Sequence, residues 1–202
     1  MSGWKFHTGA AVSLPFENID TDQLIPARFM SAPRSEGYGK YLLTDLRYGS
    51  DGKPTDFPEM TGATVIVAGR NFGCGSSREA AVYALADFAI RVVVAESFGD
   101  IFASNAVNNG VLPARVTSDV IEELMRELAH GLKPIVIDLE AQELTVSGRT
   151  LAFDLDPVWR QKLLNGWDDI DLTQNYASEL DAFSQRYMAE MPWIRPSCDG
   201  RI

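Results

Sequence analysis

An α/β fold is predicted by two features of this chain. From about residue 62 onward, apolar runs of strand length alternate with stretches of helical period, which is a βαβα rhythm. Within that rhythm the run Thr64 to Ala68 passes into a helical pattern through a glycine-rich loop, Gly69 to Glu79 (GRNFGCGSSRE). A hydrophobic content of 46% over 202 residues is enough for one main domain with a proper core. The expected division is residues 1–166 as that domain, then 167–202 as a C-terminal helix and tail packed on it or on a partner.

The elements follow in order. Lys5 to Phe16 mixes apolar residues with His7 and Gly9 and predicts a strand or two. Asn18 to Pro26 is a polar loop, and Met30 to Met60 reads as one long loop of the length that often forms a lid. Strand Thr64 to Gly69 leads to a helix over Ser77 to Phe88, then to strand Arg91 to Ala95 and a helix from Glu96 to about Asn108. Val111 to Pro113 is a short strand, and Ser118 to Ala129 is an amphipathic helix with Ser118 as its cap and Gly131 just beyond. Pro134 to Leu139 and Glu143 to Ser147 form a hairpin, followed by strand Thr150 to Phe153. Proline in the first turn starts a helix at Asp156-Pro157 that ends near Gly166, and Asn175 to Met191 carries the last helical pattern before the tail.

The net charge of -10 and a pI near 4.6 argue against nucleic acid and anionic membranes as partners, since both need a basic footprint. Met1 to Phe16 lacks the pattern of a secretory signal, and Asp87 and Arg91 break the most apolar segment. The expectation is a cytoplasmic protein. Cys74 and Cys198 are the only cysteines, which excludes a disulfide framework and a self-contained four-cysteine metal or cluster site.

The glycine loop is the candidate site. Gly69, Gly73 and Gly75 permit tight turns and close ligand approach, and the following helix start directs unpaired amides and partial positive charge at the loop. Two hydroxyls, a guanidinium and a carboxylate lie within Ser76 to Glu79, where a strand's carboxyl end meets a helix. A structural reading stands beside the functional one, because Ser76 and Glu79 also fit the S-x-x-E capping box. Asp20, Thr21 and Asp22 suit capping and Asx turns as well as they suit a site. Two carboxylates without further oxygen ligands in register are a weak metal signal, so no metal is assigned. Cys74 has no evident histidine beside it and reads as a packed, backbone-positioning thiol.

Three separated motifs carry a family resemblance: Asn18 to Arg28 (NIDTDQLIPAR), Gly69 to Glu79, and Ser97 to Asn105 (SFGDIFASN) followed by Asn108 to Pro113 (NNGVLP). In this order they resemble the small subunits of bacterial 3-isopropylmalate dehydratases, the swivelling domain of the aconitase superfamily, over about His7 to Thr173. The resemblance implies a three-layer β/β/α domain with a mainly parallel central sheet. It implies a hydro-lyase in which Ser76 is the base at carbon, Ser77 and Arg78 hold a substrate carboxylate, and Asp22 supports proton traffic. Arg34 would be a second carboxylate clamp, with Asp20, Thr21, Gly73, Cys74, Gly75 and Glu79 in supporting places. The partner implied is a large subunit carrying a four-iron four-sulphur cluster, the substrate a small dicarboxylate, and this chain alone binds no cofactor.

Physical chemistry requires such a shared site. A serine hydroxyl resembles water, whose proton leaves near a pKa of about 15.7, so an alkoxide at neutral pH costs roughly 12 kcal/mol at about 1.36 kcal/mol per unit. A helix end supplies at most ~2 kcal/mol, leaving the rest to cationic groups, loop amides and water exclusion in the closed complex. Arg78 suits a carboxylate because its planar fork donates two parallel hydrogen bonds. Ala80 stands where the family usually has histidine, Val82 where proline is common, and Leu46 where an aromatic often precedes Arg47. The base motif is intact, while the segment Tyr41 to Tyr48, which shapes substrate choice in relatives, leaves room for another alkylmalate, with citraconate as the alkene. Two other classes remain open: an anion or nucleotide module, against which stands the absence of G-x-x-x-x-G-K-S/T and G-x-G-x-x-G, and a non-catalytic scaffolding subunit.

Overall fold

The computed structural model describes residues 2–194, and its contacts divide the chain into Met1–Trp167 and Asp168–Ile202. The first apolar stretch forms a single nine-residue strand, β1 (Phe6–Leu14). The polar segment expected to be loop contains a one-turn helix, α1 (Thr21–Leu24), closed by a capping box in which Asp20 accepts from the Gln23 amide and the Gln23 side chain accepts from the Asp20 amide. The long loop is not loose. It holds another one-turn helix, α2 (Thr44–Arg47), and anchors Leu42, Leu43 and Met60 in the core with no exposed surface. Fully burying such side chains stabilises a segment by roughly 1.5–3 kcal/mol each, which is why length alone misjudged it.

Then come β2 (Ala63–Ala68), α3 (Glu79–Asp87), β3 (Val92–Ala95), α4 (Asp100–Asn108), β4 (Leu112–Arg115) and α5 (Ser118–Leu128). Thr117, not Ser118, holds the cap position of α5, and its side chain makes no capping bond. The meander β5 (Lys133–Asp138), β6 (Glu143–Val146) and β7 (Arg149–Ala152) precedes α6 (Pro157–Asn165). Asp156 caps α6 by accepting from the Val158 and Trp159 amides, and Gly166 ends it at φ 74°, as its sequence signals require.

One seven-stranded sheet runs in the order β4-β3-β2-β1-β5-β6-β7. β1 to β4 are mutually parallel, and β5 to β7 continue from β1 as an antiparallel meander, so the sheet is mixed with a parallel half. Alternation along β2 divides the core: Val65 and Val67 pack with Ile121, Leu124 and Leu128 of α5, while Ile66 and Ala68 pack with Ala81, Val82 and Leu85 of α3. A core on each face explains why β2 is an almost continuous apolar run.

The unit Asp168–Ile202 contains α7 (Asp169–Gln174), with a capping box between Asp168 and Asp171, and α8 (Ala177–Glu190). The sequence pattern missed α7, and α8 is shorter than Asn175 to Met191. Among the described residues no helix is long and apolar enough to cross a membrane. Cys198 and the tail beyond Ile194 lie outside the described residues.

Candidate active site

Each of the parallel strands β1, β2 and β3 ends in a polar loop, and the three loops keep the order of the strands that precede them. The Asn18 amide donates to the Arg70 carbonyl (2.9 Å), Gly73 to Ile19 (2.7 Å) and Thr21 to Cys74 (2.9 Å). On the other side Phe72 donates to Ser97 (3.0 Å) and Gly99 to Phe72 (2.9 Å). The glycine loop is thus the middle strand of a small parallel extension, with bridges Asp20 to Cys74 and Phe72 to Phe98. The motifs recognised separately in the sequence are here one object.

Its shape depends on residues without a β-carbon. Gly73 has φ 72°, and an added Cβ would lie 2.1 Å from the Phe102 ring. At Gly99 an added Cβ would lie 2.6 Å from the Gly73 carbonyl oxygen. Sequence reasoning missed the pair that completes the turn. Asn18 (φ 54°) and Asn71 (φ 59°) are both left-handed, the Asn71 amide group donates to Asn18 Oδ1 at 2.8 Å, and the Asn71 backbone N–H reaches Ser97 Oγ at 2.9 Å. Asparagine's tolerance of that region, beside glycine in a loop, was the available signal.

Ser76 and Ser77 are exposed, and among the described residues the Ser76 hydroxyl has no hydrogen-bond partner. The capping-box reading of Ser76 does not hold. Arg78 is extended (φ -123°, ψ 104°) and is itself the N-cap of α3, so Ser76 stands too far before the helix, which starts at Glu79 rather than Ser77. Among the described residues the amides of Ser76, Ser77 and Arg78 have no acceptor, so this approach to α3 is a cluster of free donors. A depression of about 200 Å³ lies between Gly73–Ser76 and Gly99–Phe102. A larger cavity, about 740 Å³, is lined by Val12, Pro58, Leu128 and Leu132 among others and contains none of these groups, so volume does not mark the site.

Arg78 is half-buried and forms an ion pair with Asp22, while its Nη1 also lies 3.9 Å from Met30 Sδ. Thr21 is buried; its hydroxyl donates to the Ser76 carbonyl at 2.9 Å. Asp20 is occupied in capping α1. Cys74 Sγ lies 3.5 Å from the Asn18 carbonyl, and burial, with a smaller push from the Asp20 charge, raises its thiol pKa. A thiol held protonated is a packing group rather than an activated nucleophile. Gly75 (φ 92°) faces Asp20 and Thr21, and Glu79 accepts from Asn109 Nδ2 at 3.2 Å.

Arg34 is placed elsewhere. Both its terminal nitrogens bind Asp87 (2.6 and 2.9 Å), and its guanidinium lies 4.4 Å from the centre of the Tyr83 ring. Among the described residues no hydrogen bond or ion pair joins it to the glycine loop. With only Cys74 and Cys198 in the sequence, this chain's donor set does not fit an iron-sulphur cluster, which is normally held by several thiolates.

The family model of the aconitase C-terminal domain matches residues 1–119. The 3-isopropylmalate dehydratase small subunit of Caulobacter vibrioides (strain NA1000 / CB15N) is 43% identical over 192 residues, covering 92% of this chain and 95% of the relative. That of Rhizobium rhizogenes (strain K84 / ATCC BAA-868) is 45% identical over 193 residues, covering 92% and 96%. Among solved structures, 3-isopropylmalate dehydratase from Methanocaldococcus jannaschii superimposes with a TM-score of 0.66 at 27% identity, covering 88% of this chain and 99% of that one.

Proposed function

Because the chain belongs to the 3-isopropylmalate dehydratase small-subunit family, within the aconitase C-terminal domain group, we propose that it is the small subunit of a heteromeric hydro-lyase. The reaction is the interconversion of 2-isopropylmalate and 3-isopropylmalate through isopropylmaleate, in leucine biosynthesis. The observation that carries this reading is the exposed Ser76 hydroxyl, set beside Arg78 and free amides at the ends of three stitched strands.

Dehydration removes a proton from one carbon and a hydroxyl from its neighbour. In this reading Ser76, as its alkoxide, takes the carbon-bound proton; the freed electron pair becomes the double bond as the hydroxyl departs and, with a further proton, leaves as water. Rehydration in the opposite sense, with Ser76 returning the proton to carbon, places the hydroxyl on the adjacent carbon. Arg78 holds a substrate carboxylate, with Ser77 as a further donor, and Asp22 serves the proton that must leave or return. Asp22 keeps the Arg78 guanidinium in place, so substrate meets an oriented fork rather than a free side chain. The large subunit would hold the four-iron four-sulphur cluster, whose chemistry is to polarise the departing hydroxyl. Free donors at the head of α3 lower the cost of the Ser76 alkoxide in part, and exclusion of water by the partner supplies more.

A second reading keeps the chemistry and changes the substrate. Leu46, Ala80 and Val82 depart from the common pattern of relatives, which favours testing a smaller alkylmalate with citraconate as the alkene. The experiment is alkene hydration by this chain mixed anaerobically with its cluster-bearing partner, comparing isopropylmaleate and citraconate for wild type and Ser76→Ala. Loss of turnover with retained assembly supports Ser76 as the base, and the preferred alkene assigns the substrate. Full activity in Ser76→Ala would instead make this a scaffolding subunit.

A further inference from the structure

We infer that Thr21 is a positioning residue for Ser76, acting through the backbone of the glycine loop; the inference rests on the reading of Ser76 as the base. Only Thr21 and Lys162 are buried polar or charged residues among those described, and burying a polar group costs stability unless a hydrogen bond offsets it. The Thr21 hydroxyl donates to the Ser76 carbonyl (2.9 Å), and its backbone N–H donates to the Cys74 carbonyl (2.9 Å). Gly75, between those two residues, has φ 92°, and an added Cβ there would lie 3.7 Å from Thr21 Oγ1. The left-handed turn at Gly75 therefore lets both flanking carbonyls reach one threonine. Among the described residues the next backbone tie beyond Ser76 is the Ala81 amide to the Arg78 carbonyl (3.1 Å). The hydroxyl bond thus fixes the peptide of the exposed serine itself.

The threonine is itself well fixed. It opens α1, which is closed by the Asp20 and Gln23 capping box and seated by Leu24 and Ile25, both fully buried. The next residue, Asp22, holds Arg78. Two consecutive residues of one short turn therefore set the peptide that carries the base and the guanidinium that receives the carboxylate. A substrate contact is not required of Thr21, so its loss should fall on the chemical step rather than on binding.

The test compares wild type, Thr21→Val, which keeps the branched shape and removes the donor, and Thr21→Ser, which keeps the hydroxyl. In the assembled enzyme Thr21→Val is expected to lower kcat about 100-fold with KM nearly unchanged, the scale of a small misplacement of a reacting group, while Thr21→Ser recovers most of it. In the isolated chain, amide order parameters at Ser76 and Ser77 should fall from about 0.85 to below about 0.6 in Thr21→Val alone. Unchanged kcat and unchanged order parameters in Thr21→Val would overturn the inference, as would equal losses in both variants. If wild type hydrates neither alkene but the order parameters still separate Val from Ser, the dehydratase reading fails and the positioning of Ser76 by Thr21 stands.

Discussion

The parallel and antiparallel halves of the sheet both turn on left-handed residues, yet they use them differently. In the meander, Gln142 (φ 58°), Ser147 (φ 49°) and Gly148 (φ 79°) reverse the chain between strands that are neighbours in sequence, and an added Cβ at Gly148 would meet nothing within 4 Å. At the ends of the parallel strands, Asn18, Asn71 and Gly73 turn against loops from distant parts of the chain, and the space beside Gly73 is filled by Phe102. Among the described residues the turn at Ser147 and Gly148 has one outside tie, the Ser147 hydroxyl donating to Glu127 at 3.0 Å, and leaves the side of Gly148 open. The candidate site answers to three segments at once, which makes it rigid and also intolerant of substitution.

The largest expected effect addresses whether that rigidity serves chemistry. Ser76→Ala should lower turnover of the assembled enzyme by about 10³-fold or more, within the upper range for a general base, while leaving assembly intact; an unaffected rate would make the parallel-end loops an architectural feature only. Next, Gly73→Ala should cost about 2–4 kcal/mol by overpacking and backbone strain, whereas Gly148→Ala should cost only about 1 kcal/mol for the left-handed conformation. Equal urea midpoint shifts in the two variants would erase the contrast. Arg78→Lys replaces a planar fork with a point charge and should raise KM for the dicarboxylate about 10-fold, checked by initial rates with the partner in excess.

The smallest effect lies at the seam, where β1 joins both halves. His7 bonds Thr64 at 2.8 Å, and burial, followed by the charge of Arg91, lowers its pKa. The unfolded chain therefore binds the proton more readily, so this contribution to stability is complete above the ordinary histidine pKa of about 6.5 and is lost as pH falls through it toward the folded value. Melting curves from pH 7.5 to 5.5 should show a steeper decline for wild type than for His7→Gln; parallel curves would show that His7 titrates alike in both states.

Periodicity and punctuation made the elements legible where their causes are local. The strand at Thr64, the Asp156-Pro157 helix start and the Pro134 to Ser147 hairpin follow from side-chain alternation, capping and turn residues, and the structure places them within a residue or two. Ser76 to Glu79 could be marked as a site because glycine, hydroxyl and guanidinium gather at a strand-to-helix turn. What could not be read was pairing across the chain. The bond of Thr21 to Ser76 spans 55 residues and that of Asn71 to Asn18 spans 53, while the capping pattern at Ser76 was mistaken because Arg78 remains extended. Arg34 looked available in the sequence, and only the fold brings Asp87 to it.

The interleaving of the three loops also sets a timetable for synthesis. Asn18 to Asp22 leaves the ribosome first, but the loops that hold it in order are complete only after Gly99 has been made. At about 5–20 residues per second, the first motif waits several seconds without its neighbours. Truncated nascent chains ending before Ser97 should therefore lack the protected amides at Asn71 and Phe72, whose acceptors belong to Ser97, even where β1 and β2 have already paired.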